Sequence, residues 1–321
     1  MVAKKSNSNE LKITRIYDAP VKAVWDAWVD PKQAAKWWGP RGFTITTHSK
    51  DLRVGGHWAY TMHGPDGVDY ENKTIYHEVV DQKRMVYDHG GNDDRPPLFR
   101  VTVTFEPVKG GKTKMDMTMT LPTPEAAAQT KKFVKQAGGN GTWDRLAEYL
   151  EEQSSGKQKF VINRTFEAPI QTVFDMWTKP EHFKQWMGPT GSTMDIVKAD
   201  IKVGSSLMYS MGHPQGMMLH GRINYQEISA PNRLVYTQQF TDDKFNPTRA
   251  PFDGNWPMTM LTTVELAEED SGETRITLTW EVDGDYTAEE LATFVKEKGG
   301  MTQGWTGSFD KLEEYIASHT H

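Results

Sequence analysis

The chain contains no cysteine, which removes disulfides, thiol nucleophiles and thiolate metal sites together. It also lacks a basic excess. Lysine and arginine number 37 against 43 aspartates and glutamates, a net charge of −6, so no basic face follows a phosphate backbone and nucleic acid is not an expected partner. The first eleven residues are polar, with Lys4 and Lys5 and no apolar stretch behind them. That reads neither as a signal peptide nor as an anchor, so the expectation is a cytoplasmic protein with no membrane partner. The patterns Gly-x-Ser-x-Gly, Gly-x-Gly-x-x-Gly and the P-loop are also missing. Hydrolase triads and nucleotide cofactors therefore lack support, and no cofactor is expected.

What is present is a duplication. Arg15, Ala19 and Pro20 recur 149 residues on as Arg164, Ala168 and Pro169. The same offset carries Trp28 to Trp177, Trp37 to Trp186, Gly39 and Pro40 to Gly188 and Pro189, Tyr60 to Tyr209, and Arg84 to Arg233. Past Tyr87 and Tyr236 the register slips, because the second copy has the longer loop, from about Gln238 to Trp256 against His89 to Pro97. It recovers near the end, where Trp143 to Tyr149 answers Phe309 to Tyr315. The expected division is a domain over 1–152, a flexible polar linker over 153–158 and a second domain over 159–321.

Each copy opens with a short alternating run and then Ala-Pro, where a first helical turn tolerates proline. A second short helix starts at Pro31 or Pro180 and is stopped by Gly-Pro. Strands follow. Trp58, Tyr60 and Met62 alternate with His57, Thr61 and His63, and Leu207, Tyr209 and Met211 keep the same parity, so that face points inward. Thr123 and Thr287 read as helix N-caps, the latter opening a capping box with Glu290. The pairs Gly138, Gly139 and Gly299, Gly300 are expected to break the helical stretch before a last helix. This order implies an α+β domain in which a curved antiparallel sheet wraps a long C-terminal helix.

The Ala-Pro entry, the Trp-Trp-Gly-Pro or Trp-Met-Gly-Pro turn, the Val-Gly turn at Val54 or Val203, and the closing Asp-Arg/Lys-Leu helix together resemble the Aha1-type domains of the Bet v 1/START-like superfamily. The resemblance covers nearly all of both copies. It implies two tandem helix-grip domains, each with an apolar cavity between sheet and last helix, in a superfamily that binds lipids, hormones and polyketides and includes cyclases and co-chaperones. Trp305 has no counterpart in the shorter 139–142 segment, so the two cavities are expected to differ.

Three functions are open. The first is binding of a small hydrophobic or aromatic molecule, favoured by eleven tryptophans and sixteen methionines, which supply contact area and adaptable packing. Its candidate ligand-binding residues are Trp38, Trp58, Tyr60, Met62, Tyr70 and Met117 in the first copy and Met187, Tyr209, Met211, Leu219, Trp280 and Trp305 in the second. Regular spacing equally suits plain core packing. The second function is a cyclase, dehydratase or hydrolase. Its candidate residues retained by both copies are Asp51 with Asp200, Glu78 with Glu227, Arg84 with Arg233, and Tyr60 with Tyr209. The tyrosines alone share the inward parity, and no catalytic residue is assigned. The third is an Hsp90 co-chaperone-like module, on the family resemblance alone. His57 and His63 lie about 20 Å apart on one strand at roughly 3.3 Å per residue, too far to share a metal, and no metal is expected. The long second-copy loop, with Phe240, Phe245, Phe252 and Trp256, is a candidate lid. The two domains form either an intramolecular pseudo-dimer or independent bodies on their linker.

Overall fold

The structure, a computed structural model, describes residues 8–136, 141–213, 216–269 and 272–319. The chain divides after Gly156 into two compact units. The first runs β1 (Glu10–Tyr17), α1 (Val21–Val29), α2 (Pro31–Trp37), β2 (Thr44–Lys50), β3 (His57–His63), β4 (Asp69–Val80), β5 (Arg84–Gly91), β6 (Phe99–Val108), β7 (Lys112–Thr120), α3 (Pro124–Gln136) and α4 (Gly141–Ser155). The second repeats the order as β8 (Lys159–Phe166), α5 (Ile170–Thr178), α6 (Pro180–Trp186), β9 (Thr193–Ala199), β10 (Ser206–Gly212), β11 (Met218–Ser229), β12 (Arg233–Thr241), β13 (Met260–Glu268), β14 (Thr274–Val282), α7 (Ala288–Lys296) and α8 (Lys298–His319).

Each sheet is a seven-stranded antiparallel meander, β2 through β7 or β9 through β14, completed by the first strand pairing with the last. The two short helices carry the chain from one edge strand to the opposite edge. Their entry is held identically in both copies: the hydroxyls of Thr113 and Thr274 donate to the Ala19 and Ala168 carbonyls at 2.7 Å. Both prolines stand at the N-cap in extended conformation, where the missing N–H costs nothing. One face of each helix is then buried, Val24, Trp25 and Trp28 in the first and Val173, Phe174 and Trp177 in the second. Trp37 and Trp186 donate their indole N–H to Ala27 and Met176 carbonyls at 3.0 Å, which pins the helix pair.

The inward strand parity is as the alternation predicts, with Val103, Met115, Leu278 and Ile276 all but inaccessible. Against this face the last helices bury Leu146 and Leu150, or Phe309, Leu312 and Ile316. Each half is therefore a helix-grip domain. The capping box at Thr287 and Glu290 is present, and Thr123 accepts from the Ala126 N–H at 3.1 Å.

Four sequence expectations need correction. Residues 153–155 are not linker: α4 continues to Ser155 and stops at Gly156, whose φ of 73° breaks the helix. Gly299 and Gly300 do not break the helix but lie in the first turn of α8; the interruption falls two residues before Gly299, at Glu297. Gln238 to Thr241 belong to β12, so the long loop spans 242–259. Trp305 does have a spatial counterpart. Trp143 stacks on Trp28 (5.2 Å, 13°) as Trp305 does on Trp177 (6.0 Å, 21°), one helical turn displaced from sequence register. The expected break at Gly138 and Gly139 lies outside the described residues.

Candidate functional site

The Trp-x-Gly-Pro turn closes one end of each domain and is clamped by the last helix. Gly39 and Gly188 adopt φ of +94° and +106°, which only glycine takes without strain. Arg145 donates to the carbonyls of Lys36, Gly39, Pro40 and Phe43 at 2.8–3.2 Å. Burial, together with nearby Arg41, lowers its guanidinium to about 10 against the pull of Glu148. Lys311 does the same for Ser192 at 3.1 Å and Gly188 at 3.4 Å. The basic residue of the Asp-Arg/Lys-Leu motif thus satisfies carbonyls that the tight turn would otherwise leave unpaired.

Behind this turn the second domain holds a cavity of about 380 Å³, within the usual range for small-ligand sites. Its floor is the inward face of β10, β11 and β12, with Tyr209, Met211, Leu219 and Gln238. Trp280 of β14 and Trp305 of α8 form a wall, their rings 5.5 Å apart at 76°, and Met187 closes the turn end. The six second-copy candidate residues all stand on this cavity. An adjoining hollow of about 450 Å³ shares Gln238, Phe240, Phe252, Trp280 and Met301 with it.

The long loop contributes Phe252, which lines both hollows yet is 54% exposed and meets Phe240 edge-on at 5.4 Å. Arg249 of the same loop pairs with Glu290, the buried capping-box residue of α7. Phe245 faces elsewhere, its ring 5.9 Å from His220. Trp256 lines only the adjoining hollow. Phe252 and its anchor Arg249 could not be singled out from the sequence, where four loop aromatics looked alike.

Few polar groups face the cavity. The Tyr209 hydroxyl accepts from the Gln238 amide at 3.3 Å, and burial pushes the phenol up to about 12, the Gln238 bond opposing. The phenol therefore stays protonated at neutral pH and keeps a proton to donate. Its ring lies over the backbone of Gly221, its cross-strand partner: a Cβ there would fall 2.3 Å from the hydroxyl oxygen. The arrangement suits an apolar guest with one polar atom at the Tyr209 and Gln238 end.

The first-copy candidates are placed differently. Trp38, Trp58 and Tyr60 are 5%, 2% and 1% exposed and pack on one another, with ring centroids 5.0 Å (Trp38–Trp58) and 4.4 Å (Trp58–Tyr60) apart. The Tyr60 hydroxyl accepts from Trp38 Nε1 at 3.1 Å, and burial drives its pKa well up. Met62 lies half-buried beside Gly39. Met117 is core, between Ile13 and Val103. Tyr70 is 44% exposed against Phe43, so its expected place on an interior wall is corrected to the domain surface. His89, at the place of Gln238, lies between Phe99 (5.1 Å) and Trp38 (6.3 Å), and burial lowers its imidazole to about 4.

The shared charged residues stand away from these interiors. Glu78 with Arg84 (3.1 Å) and Glu227 with Arg233 (3.2 Å) are half-exposed ion pairs on hairpins. Asp51 pairs with Arg53 at 2.7 Å, and Asp200 accepts from Ser205 at 2.9 Å. His57 bonds Ser49, while His63 bonds Thr46 and Asp69. Among the described residues no helix is long and apolar enough to cross a membrane.

A duplicated helix-grip fold, hollow beneath the second sheet, defines a tandem helix-grip protein of the α+β class. The model of the family described as "Activator of Hsp90 ATPase homolog 1-like protein" matches residues 18–151 and 167–317, and the chain belongs to that family. Among solved structures, it is similar to a protein from Staphylococcus epidermidis (28% identity, 51% of this chain and 93% of that one, TM-score 0.40). A protein from Nitrosomonas europaea shares 25% identity over 45% of this chain and 96% of its own, TM-score 0.41. The di-domain ARO/CYC protein BexL of the BE-7585A biosynthetic pathway aligns over 95% of this chain and 98% of its own at 13% identity and a TM-score of 0.39. No curated protein matches the chain.

Proposed function

We propose that the protein binds a small apolar or aromatic molecule in the cavity of its second domain. The observation that carries this reading is the cavity's lining: two tryptophans, four methionines and Leu219, with few polar groups, among them the hydrogen-bonded pair Tyr209 and Gln238. Burying an apolar guest there removes its surface and the walls' surface from water at about 25 cal/mol per Å², while the polar pair orients it. Among the described lining residues, the groups that acid–base chemistry could use are His213 and Tyr209, and Tyr209, protonated at neutral pH, serves as a donor rather than a base.

Trp280 and Trp305 report directly on occupancy. Titration with an aromatic probe is expected to quench tryptophan fluorescence saturably in the micromolar range; no quenching at high micromolar probe overturns the proposal. Leu219→Glu sets a charge in the apolar wall and is expected to weaken binding by at least about tenfold, because an unpaired charge resists desolvation.

A further inference from the structure

The two interiors differ at a few superposable positions. At the constant offset of 149, Trp38 becomes Met187, Trp58 becomes Leu207 and Asn72 becomes Gly221. Leu207 is completely buried and is not among the cavity walls, whereas Trp58 extends to within 5.0 Å of the Trp38 ring and 4.4 Å of Tyr60. With Met187 in place of Trp38 the tyrosine loses its indole donor, and Gln238 takes over. Gly221 then gives the Tyr209 ring backbone to lie on, a place that the Cβ of Asn72 denies to Tyr60. The three exchanges act in one direction: two indoles are withdrawn and the phenol is laid aside.

We infer that the first domain is filled by its own side chains, Trp38 and Trp58 standing where the second domain admits a guest, so that the chain binds one guest and side-chain volume at positions 187 and 207 determines which domain is open. This rests on the reading above and adds stoichiometry and the residues that set it. Interiors pack at crystal-like density, so a bulky pair that closes on itself leaves no room for a further ring.

The test uses the full chain and anilinonaphthalene sulfonate as probe, with stoichiometry read by calorimetry and native mass spectrometry. The unaltered chain is expected to bind one probe molecule, Trp38→Met with Trp58→Leu two, and Met187→Trp with Leu207→Trp none. Circular dichroism and a cooperative melt verify folding. Two molecules on the unaltered chain overturn the inference while leaving the proposed function standing. Zero on the unaltered chain sinks both. A folded Trp38→Met, Trp58→Leu chain that still binds one also overturns the inference. Should that variant not fold, the second-domain pair decides, and retained binding there overturns it.

Discussion

At the scale of single residues, His89 shows how one exchange between the copies becomes a measurable property. Held between Phe99 and Trp38, its imidazole stays neutral down to about pH 4 in the folded chain. In the unfolded chain it takes a proton near 6.5. Between those values the unfolded state binds more protons, so stability falls as pH drops through the window. For a half-buried ring the loss is about 1–2 kcal/mol. His89→Gln, the residue the second domain uses at this place, is expected to abolish that part of the pH dependence in denaturant melts between pH 4 and 6.5. An unchanged slope would clear His89 of the role.

At the scale of elements, the last helix does more than cover the sheet. Through Arg145 in α4 and Lys311 in α8 it fastens the glycine turn that closes one end of each domain. Arg145→Ala leaves several carbonyls without a donor and is expected to destabilise the first domain by about 3 kcal/mol, read as a shift in denaturant midpoint. Arg145→Lys is expected to restore part of it, since Lys311 performs the task in the second domain. The loop over the cavity is similarly anchored, Arg249 to Glu290, and Glu290 is itself held by the α7 capping box.

The elements themselves were largely legible beforehand. Ala-Pro entries, Gly-Pro stops, period-two strands and the Thr287 box follow from local chemistry, and each lies where that chemistry puts it. Helix breaks around glycine were not. Gly299 and Gly300 sit inside α8 because a glycine weakens a helix by only about 1 kcal/mol, which packing of Met301 and Trp305 against the core outweighs. The polar residues 153–155 stayed helical for a related reason: nothing there forbids another turn until Gly156.

At the scale of the whole molecule, every wall of the cavity comes from the second unit, and each unit has its own hydrophobic core. Residues 157–321 expressed alone are therefore expected to fold and to keep the probe affinity of the full chain within about threefold, since no wall is lost. A loss of binding by a folded fragment would place part of the site outside that unit.

The amino-acid sequence by itself determined the duplication, the order of elements and which strand faces look inward, because these rest on period, caps and turns that each segment carries locally. Which inward residues touch one another, and whether space is left between them, was decided only in three dimensions. Trp58 and Leu207 obey the same alternation, as do Trp38 and Met187 at their turns. Empty volume is what remains after all facing side chains have been placed, so a quantity set jointly by several strands and a helix leaves no trace in the pattern of any one of them.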